Sequence, residues 1–286
     1  MRIGDPAAKL SLERFRLLRD MFNRHCGIFF SDESRFLLES RLGERLLHLG
    51  LESFDDYYRH LNYHPEREAE VEEAIDILTT NETYFFREDY QLRTFGRDIL
   101  HDLRDRLAPR RRLMIWSAGC SSGEEAYTIA MLVLDSGLFD GWDVRVFGSD
   151  INRKVLARAR RAVYGPSSFR ATAPDVVARH FGEVEDGYRV NDDVRALCHF
   201  GHLNLLDEER LVFVGRADVI FCRNVLIYFD KRAKTRAISL LHDRLSPGGY
   251  LLLGHTESLL NLSTEFELCY LSEDLVYRRP EVLHGE

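Results

Sequence analysis

Two hydrophobic rhythms divide this chain. Over about the first eighty residues, apolar side chains recur every three or four positions, the period of an amphipathic helix. Phe15, Leu18 and Phe22 predict a first helix capped by Ser11. Leu38, Leu42, Leu46 and Leu49 predict a second, starting after Ser31 or Asp32 and ended by Gly50. Ser53 caps a third with Phe54, Tyr58 and Leu61 on one side, and a fourth carries Val71, Ile75 and Leu78. Together they predict a small all-α bundle over residues 10–78.

After residue 109 the rhythm changes. RRLMIWSAG (111–119), DVRVFGSD (143–150), ADVIFCRN (217–224) and GGYLLLGHTES (248–258) are short apolar runs ending in small or polar residues. The helical stretches GEEAYTIAMLVLDSG, NRKVLARARRAVYG and KRAKTRAISLLHDRLSPGG stand between them. Strands alternating with helices predict a parallel, Rossmann-like α/β sheet covered on both faces, within residues 79–286. FELCYL and LVYRR around SED predict an antiparallel hairpin at its edge. The turn signals EDG and NDD predict a small antiparallel β subdomain inserted at residues 165–203.

Composition narrows the classes. The 286 residues are 45% hydrophobic and 30% charged, as in a globular protein, with a formal charge of −8. That charge disfavours nucleic acid and anionic membrane as partners. Five cysteines without a CxxC pair suit neither a zinc site nor a disulfide framework, so reduced thiols in a cytoplasm are expected, with no metal. MRIGDPAAKLSLERFRLL has no signal-peptide core, and no run reaches the ~20 apolar residues of a membrane span.

In open parallel sheets, ligands bind beyond the carboxyl ends of the strands. Four such places are chemically distinctive. In SAGCSSGEE (117–125), Gly119 and Gly123 allow a sharp turn, and Glu124 and Glu125 open a helix. Acids there would repel a pyrophosphate, so the ligand should be neutral or cationic. Asp150 can accept from ribose hydroxyls or cap the next helix. Asn204 and Leu205 can hold and stack an adenine, or form an ordinary loop. Arg223, Asn224 and Tyr228 follow a buried strand, where unmet polar groups are costly. Cys222 reads as a core thiol. Upstream, LTTNETYFFRE (78–88) interleaves Asn81, Thr83 and Arg87 with apolar neighbours.

These segments, in this order, resemble the CheR family of S-adenosylmethionine-dependent methyltransferases acting on chemoreceptor glutamates. TNETYFFRE, SAGCSSGEEAYTIAM, GSDINRKVLARARRAVY, FCRNVLIYFD and LSPGGYLLLGHTES carry the resemblance, over about residues 12–280. The family's P-Y-S is Ala126-Tyr127-Thr128 here. The resemblance implies a class I methyltransferase fold and S-adenosylmethionine as cofactor, with S-adenosylhomocysteine as product. It implies that Asn81, Thr83 and Arg87 line the methionyl end, with Glu124 favoured over Glu125 as the acidic contact. Asp150 becomes the ribose acid, Asn204 and Leu205 the adenine-side pair, and Arg223 and Asn224 the last cofactor contacts. Arg87 and Tyr228 are the expected catalytic pair, positioning the acceptor. Arg41 and Arg45, with Arg35 a step back, are expected to face the receptor's glutamate-rich cytoplasmic helix or to lie on a solvated face. FGEVEDGYRV lacks an extra glycine run, which implies an enzyme independent of a receptor-tail pentapeptide. A monomer is expected.

Three rivals remain at this stage. A small-molecule or nucleic-acid methyltransferase is disfavoured by charge and by the lack of an aromatic-basic groove. A non-catalytic module binding the cofactor or its product would need a decayed site, against the intact Arg87, Asp150, Arg223 and Tyr228. An NAD-dependent oxidoreductase lacks its GxGxxG.

Overall fold

The computed structural model describes residues 9–281, which form two compact units. The first runs to Thr80 and includes Tyr228–Ala233; the second is Asn81–Ile227 with Lys234 onward.

The first unit holds α1 (Leu12–Cys26), α2 (Arg35–Leu49), α3 (Phe54–Tyr63) and α4 (Arg67–Leu78). Ser11 and Ser53 cap α1 and α3, accepting from the Arg14 and Asp56 amides. A 3-10 turn at Asp32–Ser34 leads into α2, and left-handed Gly50 closes it. Phe15, Leu18, Phe22, Leu38, Leu42, Leu46, Phe54 and Leu61 form the core. The expected Tyr58 is replaced there by Tyr57, whose hydroxyl donates to buried Glu70 at 2.8 Å. Tyr58 is instead covered by the Arg14 guanidinium.

Tyr228–Ala233 belongs with the helical unit although it lies far from it in the chain. The Phe29 amide donates to the Tyr228 carbonyl at 2.8 Å, and Ile28 bridges Phe229. This backbone pairing spans some two hundred positions and leaves no local trace in the sequence.

The second unit opens with α5 (Asp89–Thr94) and α6 (Leu100–Arg106), joined by a π turn. Then follow β1 (Arg112–Ala118), α7 (Glu124–Ser136), β2 (Asp143–Asp150) and α8 (Arg153–Arg161). The inserted sheet comprises β3 (Val163–Tyr164), β4 (Phe181–Val184) and β5 (Gly187–Val190), with α9 (Pro174–His180) within it. After α10 (Asp192–Leu197) the chain returns in β6 (Cys198–His202), then α11 (Glu208–Leu211), β7 (Ala217–Cys222), α12 (Lys231–Arg244) and β8 (Leu245–Leu253). The expected hairpin is β9 (Glu267–Tyr270) and β10 (Leu275–Arg278).

The main sheet runs β6-β2-β1-β7-β8-β10-β9. Counting only its own strands, that is the order 3-2-1-4-5-7-6, parallel except for the final hairpin. The Rossmann-like expectation holds. The insertion, however, ends before Cys198, because Cys198–His202 pairs in parallel with β2. As an edge strand, β6 buries only one face and lacks the continuous apolar run that marked the central strands.

Candidate active site

Five connections and one upstream segment meet at the carboxyl end of the parallel strands. After β1 the chain turns through Gly119 at φ 82° and Gly123 at φ 95°. A Cβ at Gly119 would lie 2.3 Å from Val225 Cγ2, so glycine is required where two ligand-side loops touch. The two acids opening α7 then diverge. Buried Glu124 accepts from the Ser122 and Ser168 hydroxyls at 2.8 and 3.0 Å, on the side of the inserted sheet. Glu125 accepts from Ser117 Oγ at 2.7 Å and pairs with Arg223 at 3.3 Å. Burial raises the carboxyl pKa of both, opposed at Glu125 by Arg223. The acid aimed at the cluster is therefore Glu125, not the favoured Glu124.

Asp150 is not the cap of α8. Asn152 is, accepting from the Lys154 and Val155 amides. The Asp150 oxygens instead accept from the Ser121 and Asn152 amides, each at 2.8 Å, which fixes the carboxylate beside the glycine turn. The Leu203 amide donates to the Asp150 carbonyl at 2.9 Å, bringing Asn204 and buried Leu205 alongside. Asn204 Oδ1 accepts from the Leu206 amide at 3.0 Å, which holds that loop closed.

Arg223 is the hub. Its side chain is 2% exposed. It donates to the Arg87 carbonyl at 2.5 Å, to Glu88 at 3.2 Å and to Glu125 at 3.3 Å. Its Nε is buried with no hydrogen-bond partner among the described residues, an orphaned donor that a bound acceptor would satisfy. Glu88 also accepts from Asn224 Nδ2 at 3.3 Å and meets His255 Nδ1 at 2.9 Å. Burial opposes ionisation of Glu88, but Arg223 and these hydrogen bonds hold its pKa below the ordinary value. Arg87 donates to the Glu82 carbonyl at 2.8 Å, and the Asn81 carbonyl accepts from Ser121 Oγ at 3.2 Å. Thr83, between them, is half-buried. Phe86, Glu88, Ser121 and Asn224 all have positive φ, so strained backbone gathers in the site segments.

One functional residue went unread in the sequence. Glu257, in the turn after β8, accepts from four backbone amides: Asn224 and Gly254 at 2.7 Å, Val225 at 3.0 Å and Ile227 at 3.1 Å. It holds the loop carrying Arg223 and Asn224. A Cβ at Gly254 would meet the Asn224 amide and Glu257 at 2.8 Å, so these glycine and glutamate positions work as one clamp. The signal available was a glutamate three residues after a glycine ending a buried strand, GHTE.

Comparison with known proteins agrees with this geometry. Residues 81–274 match the model of the CheR methyltransferase SAM-binding domain, and residues 13–79 that of the CheR methyltransferase all-alpha domain. The chain belongs to the CheR methyltransferase family. A "Chemotaxis protein methyltransferase 2" of Vibrio cholerae is 34% identical, covering 93% of this chain and 92% of its own. One of the same name from Pseudomonas aeruginosa is 37% identical, covering 91% of both chains. The fold is that of class I methyltransferases and the cofactor is S-adenosylmethionine. The orphaned Arg223 Nε and the acid Glu125 fit the carboxylate and ammonium of its methionyl group.

In the CheR all-alpha unit, the arginines expected to face a partner helix make bonds within the bundle. Arg41 donates to the Leu78 carbonyl at 2.7 Å, satisfying the end of α4. Arg45 makes a two-pronged pair with Glu70 at 2.6–3.1 Å. Both guanidiniums are engaged inside the bundle and not held out to a partner helix. Tyr228 belongs to this unit, its carbonyl accepting from the Phe29 amide. Cys222 lies in the core, where burial pushes its thiol pKa well up.

Proposed function

We propose that this methyltransferase esterifies the γ-carboxylate of glutamates in the cytoplasmic helices of methyl-accepting chemoreceptors. The observation that carries the reading is the buried Arg223, two of its nitrogens fixed by Glu88, Glu125 and the Arg87 carbonyl and the third without a hydrogen-bond partner among the described residues.

S-adenosylmethionine, when bound, supplies a methyl group on a positively charged sulfur. Arg223 Nε binds its carboxylate and Glu125 its ammonium, while Asn81, Thr83 and Asn224 close around that end. Asp150 accepts from the ribose, and Asn204 with Leu205 holds the adenine side. A glutamate carboxylate has a pKa of about 4.3 and is already ionised at neutral pH, so the protein need not provide a strong base. Its task is alignment and exclusion of water. Arg87, which reaches past Glu88 and Tyr84, orients the acceptor carboxylate. Tyr228 is assigned the second positioning role.

For the partner helix, α2 offers a better surface than Arg41 and Arg45. Phe36 and Leu47 are 73% and 78% exposed, at the two ends of one stripe that passes through Ser40 and Gly43. A Cβ at Gly43 would meet nothing within 4 Å, so the bundle itself does not call for glycine there. A bare backbone between two exposed apolar side chains suits close approach of another helix. The short turn between β4 and β5 supports docking without a receptor-tail pentapeptide.

The test uses labelled S-adenosylmethionine and membranes bearing receptors from the same organism. Methyl groups released as methanol by alkali, and lost with Arg87→Ala, establish carboxyl methylation. Cofactor binding without any transfer would favour a non-catalytic sensor module.

A further inference from the structure

The main sheet is covered unevenly. α7, α8 and α10 pack on β2 and β6. They lie on the face of Val146, Gly148, Cys198 and Phe200: Cys198 Sγ reaches the Ala126 carbonyl at 3.6 Å, and Tyr127 meets the Phe200 ring edge-on at 5.3 Å. The alternate positions point the other way. There Arg145 and His199 are exposed and Phe147 is half-buried. The sequence-based expectation of helices on both faces fails here, and parallel strands seldom leave a face open.

Over this face lies a cavity of about 830 Å3, walled on one side by residues 210–216. Five arginines line it: Arg110, Arg112, Arg145, Arg210 and Arg216. The carboxylates that meet them are three. Arg110 pairs with buried Asp218, Arg112 and Arg145 share Asp143 at 3.5 and 2.9 Å, and Arg210 meets Asp207 at 3.3 Å. Arg216 has no ion-pair partner among the described residues. A concave surface with excess positive charge, on a chain of net charge −8, concentrates anions. Its apolar part is aromatic: Phe147 in the floor and Phe213 at the lip, 89% exposed.

We propose that this cavity binds a nucleoside phosphate. Guanidiniums bind phosphate oxygens in pairs, and an aromatic ring held in water beside them is a platform for a flat base. The volume falls within the range of small-molecule sites, about 300–1,000 Å3. The cavity reaches from the amino end of β1 to His202 and Leu203, next to the loop of Asn204 and Leu205, and its arginines lie toward the amino end. Arg112 opens β1, whose seven residues place it about 20 Å from the glycine turn at the other end.

The full-length protein, saturated with S-adenosylhomocysteine to fill the cofactor site, is titrated calorimetrically with ATP and GTP. Inorganic triphosphate and adenosine are the controls. One site per chain is expected, about tenfold or more tighter for a nucleotide than for either control. The pair Arg145→Glu and Arg216→Glu should weaken it by about tenfold and Phe213→Ala by several-fold, with S-adenosylhomocysteine affinity unchanged as proof of folding. Equal binding of triphosphate and nucleotide would reduce the site to a general anion surface. Nucleotide binding indifferent to all three substitutions would place it elsewhere, and tighter binding of a glutamate-rich peptide would assign the face to an acidic protein partner. Absence of nucleotide binding would overturn the proposal outright.

Discussion

The carboxylate of Glu125 lies 3.3 Å from the guanidinium of Arg223, while its neighbour Glu124 faces Ser122 and Ser168. Adjacent residues on a helix point about 100° apart, so only one of the pair can serve the site. Glu125→Gln should weaken S-adenosylhomocysteine binding by about tenfold or more, with Glu124→Gln changing it little. Burial raises the Glu125 pKa, so in the free protein it takes up a proton at a higher pH than an ordinary carboxyl. A cationic ligand favours the ionised form. Affinity should therefore fall as pH is lowered toward the raised carboxyl pKa, and Glu125→Gln should flatten that dependence. Calorimetry as pH is lowered checks both; a stronger loss with Glu124→Gln would exchange the roles.

Glu257 gathers three amides of the turn after β7 and the Gly254 amide after β8. Glu257→Gln replaces one oxygen with an NH2 facing N–H donors, which both removes acceptors and introduces repulsion. Arg223 and Asn224 would lose their support. Cofactor affinity should drop about tenfold or more while far-ultraviolet circular dichroism stays that of the folded protein. Wild-type affinity in this variant would mean that the loop holds its shape without the clamp.

Much of this site was legible because the local chemistry repeats along the chain. Small or polar residues end each buried strand, and the parallel topology then gathers those ends at one edge. What stayed hidden depends on side-chain direction and on distant pairing. Glu124 and Glu125 are equal in sequence, and only the α7 register separates them. Arg41 and Arg45 read as a free basic face because their partners, the Leu78 carbonyl and Glu70, sit on another helix. Asp150 and Asn152 are both good caps, and the geometry gives the cap to Asn152. The open face of β2 was written in Arg145 and Phe147, yet alternation on one strand cannot tell a bare face from one covered by a loop.

Gly43 weighs stability against docking. Glycine in a helix interior costs about 0.5–1 kcal/mol relative to alanine, and here open space would receive the methyl group. Gly43→Ala should raise the melting temperature. If a receptor helix packs along Phe36 and Leu47, the same substitution should raise KM for receptor membranes and leave S-adenosylhomocysteine affinity alone. A stabilised variant with unchanged receptor KM would move the docking surface off this stripe.

Arg45 and Glu70 test whether the bundle's charged interior is structural. Glu70 is buried, and it accepts from Arg45 and from the Tyr57 hydroxyl, so its charge is met on two sides. Removing one partner of a buried pair costs about 3–5 kcal/mol, because the remaining charge is left without compensation. Arg45→Met should therefore destabilise the helical unit strongly, and adding Glu70→Gln should recover part of the loss. Denaturant unfolding of the single and double variants gives the coupling directly. A nearly neutral Arg45→Met with impaired receptor methylation would return Arg45 to the substrate surface. Strong destabilisation with coupling to Glu70 would leave the partner-facing role to the outward stripe of α2.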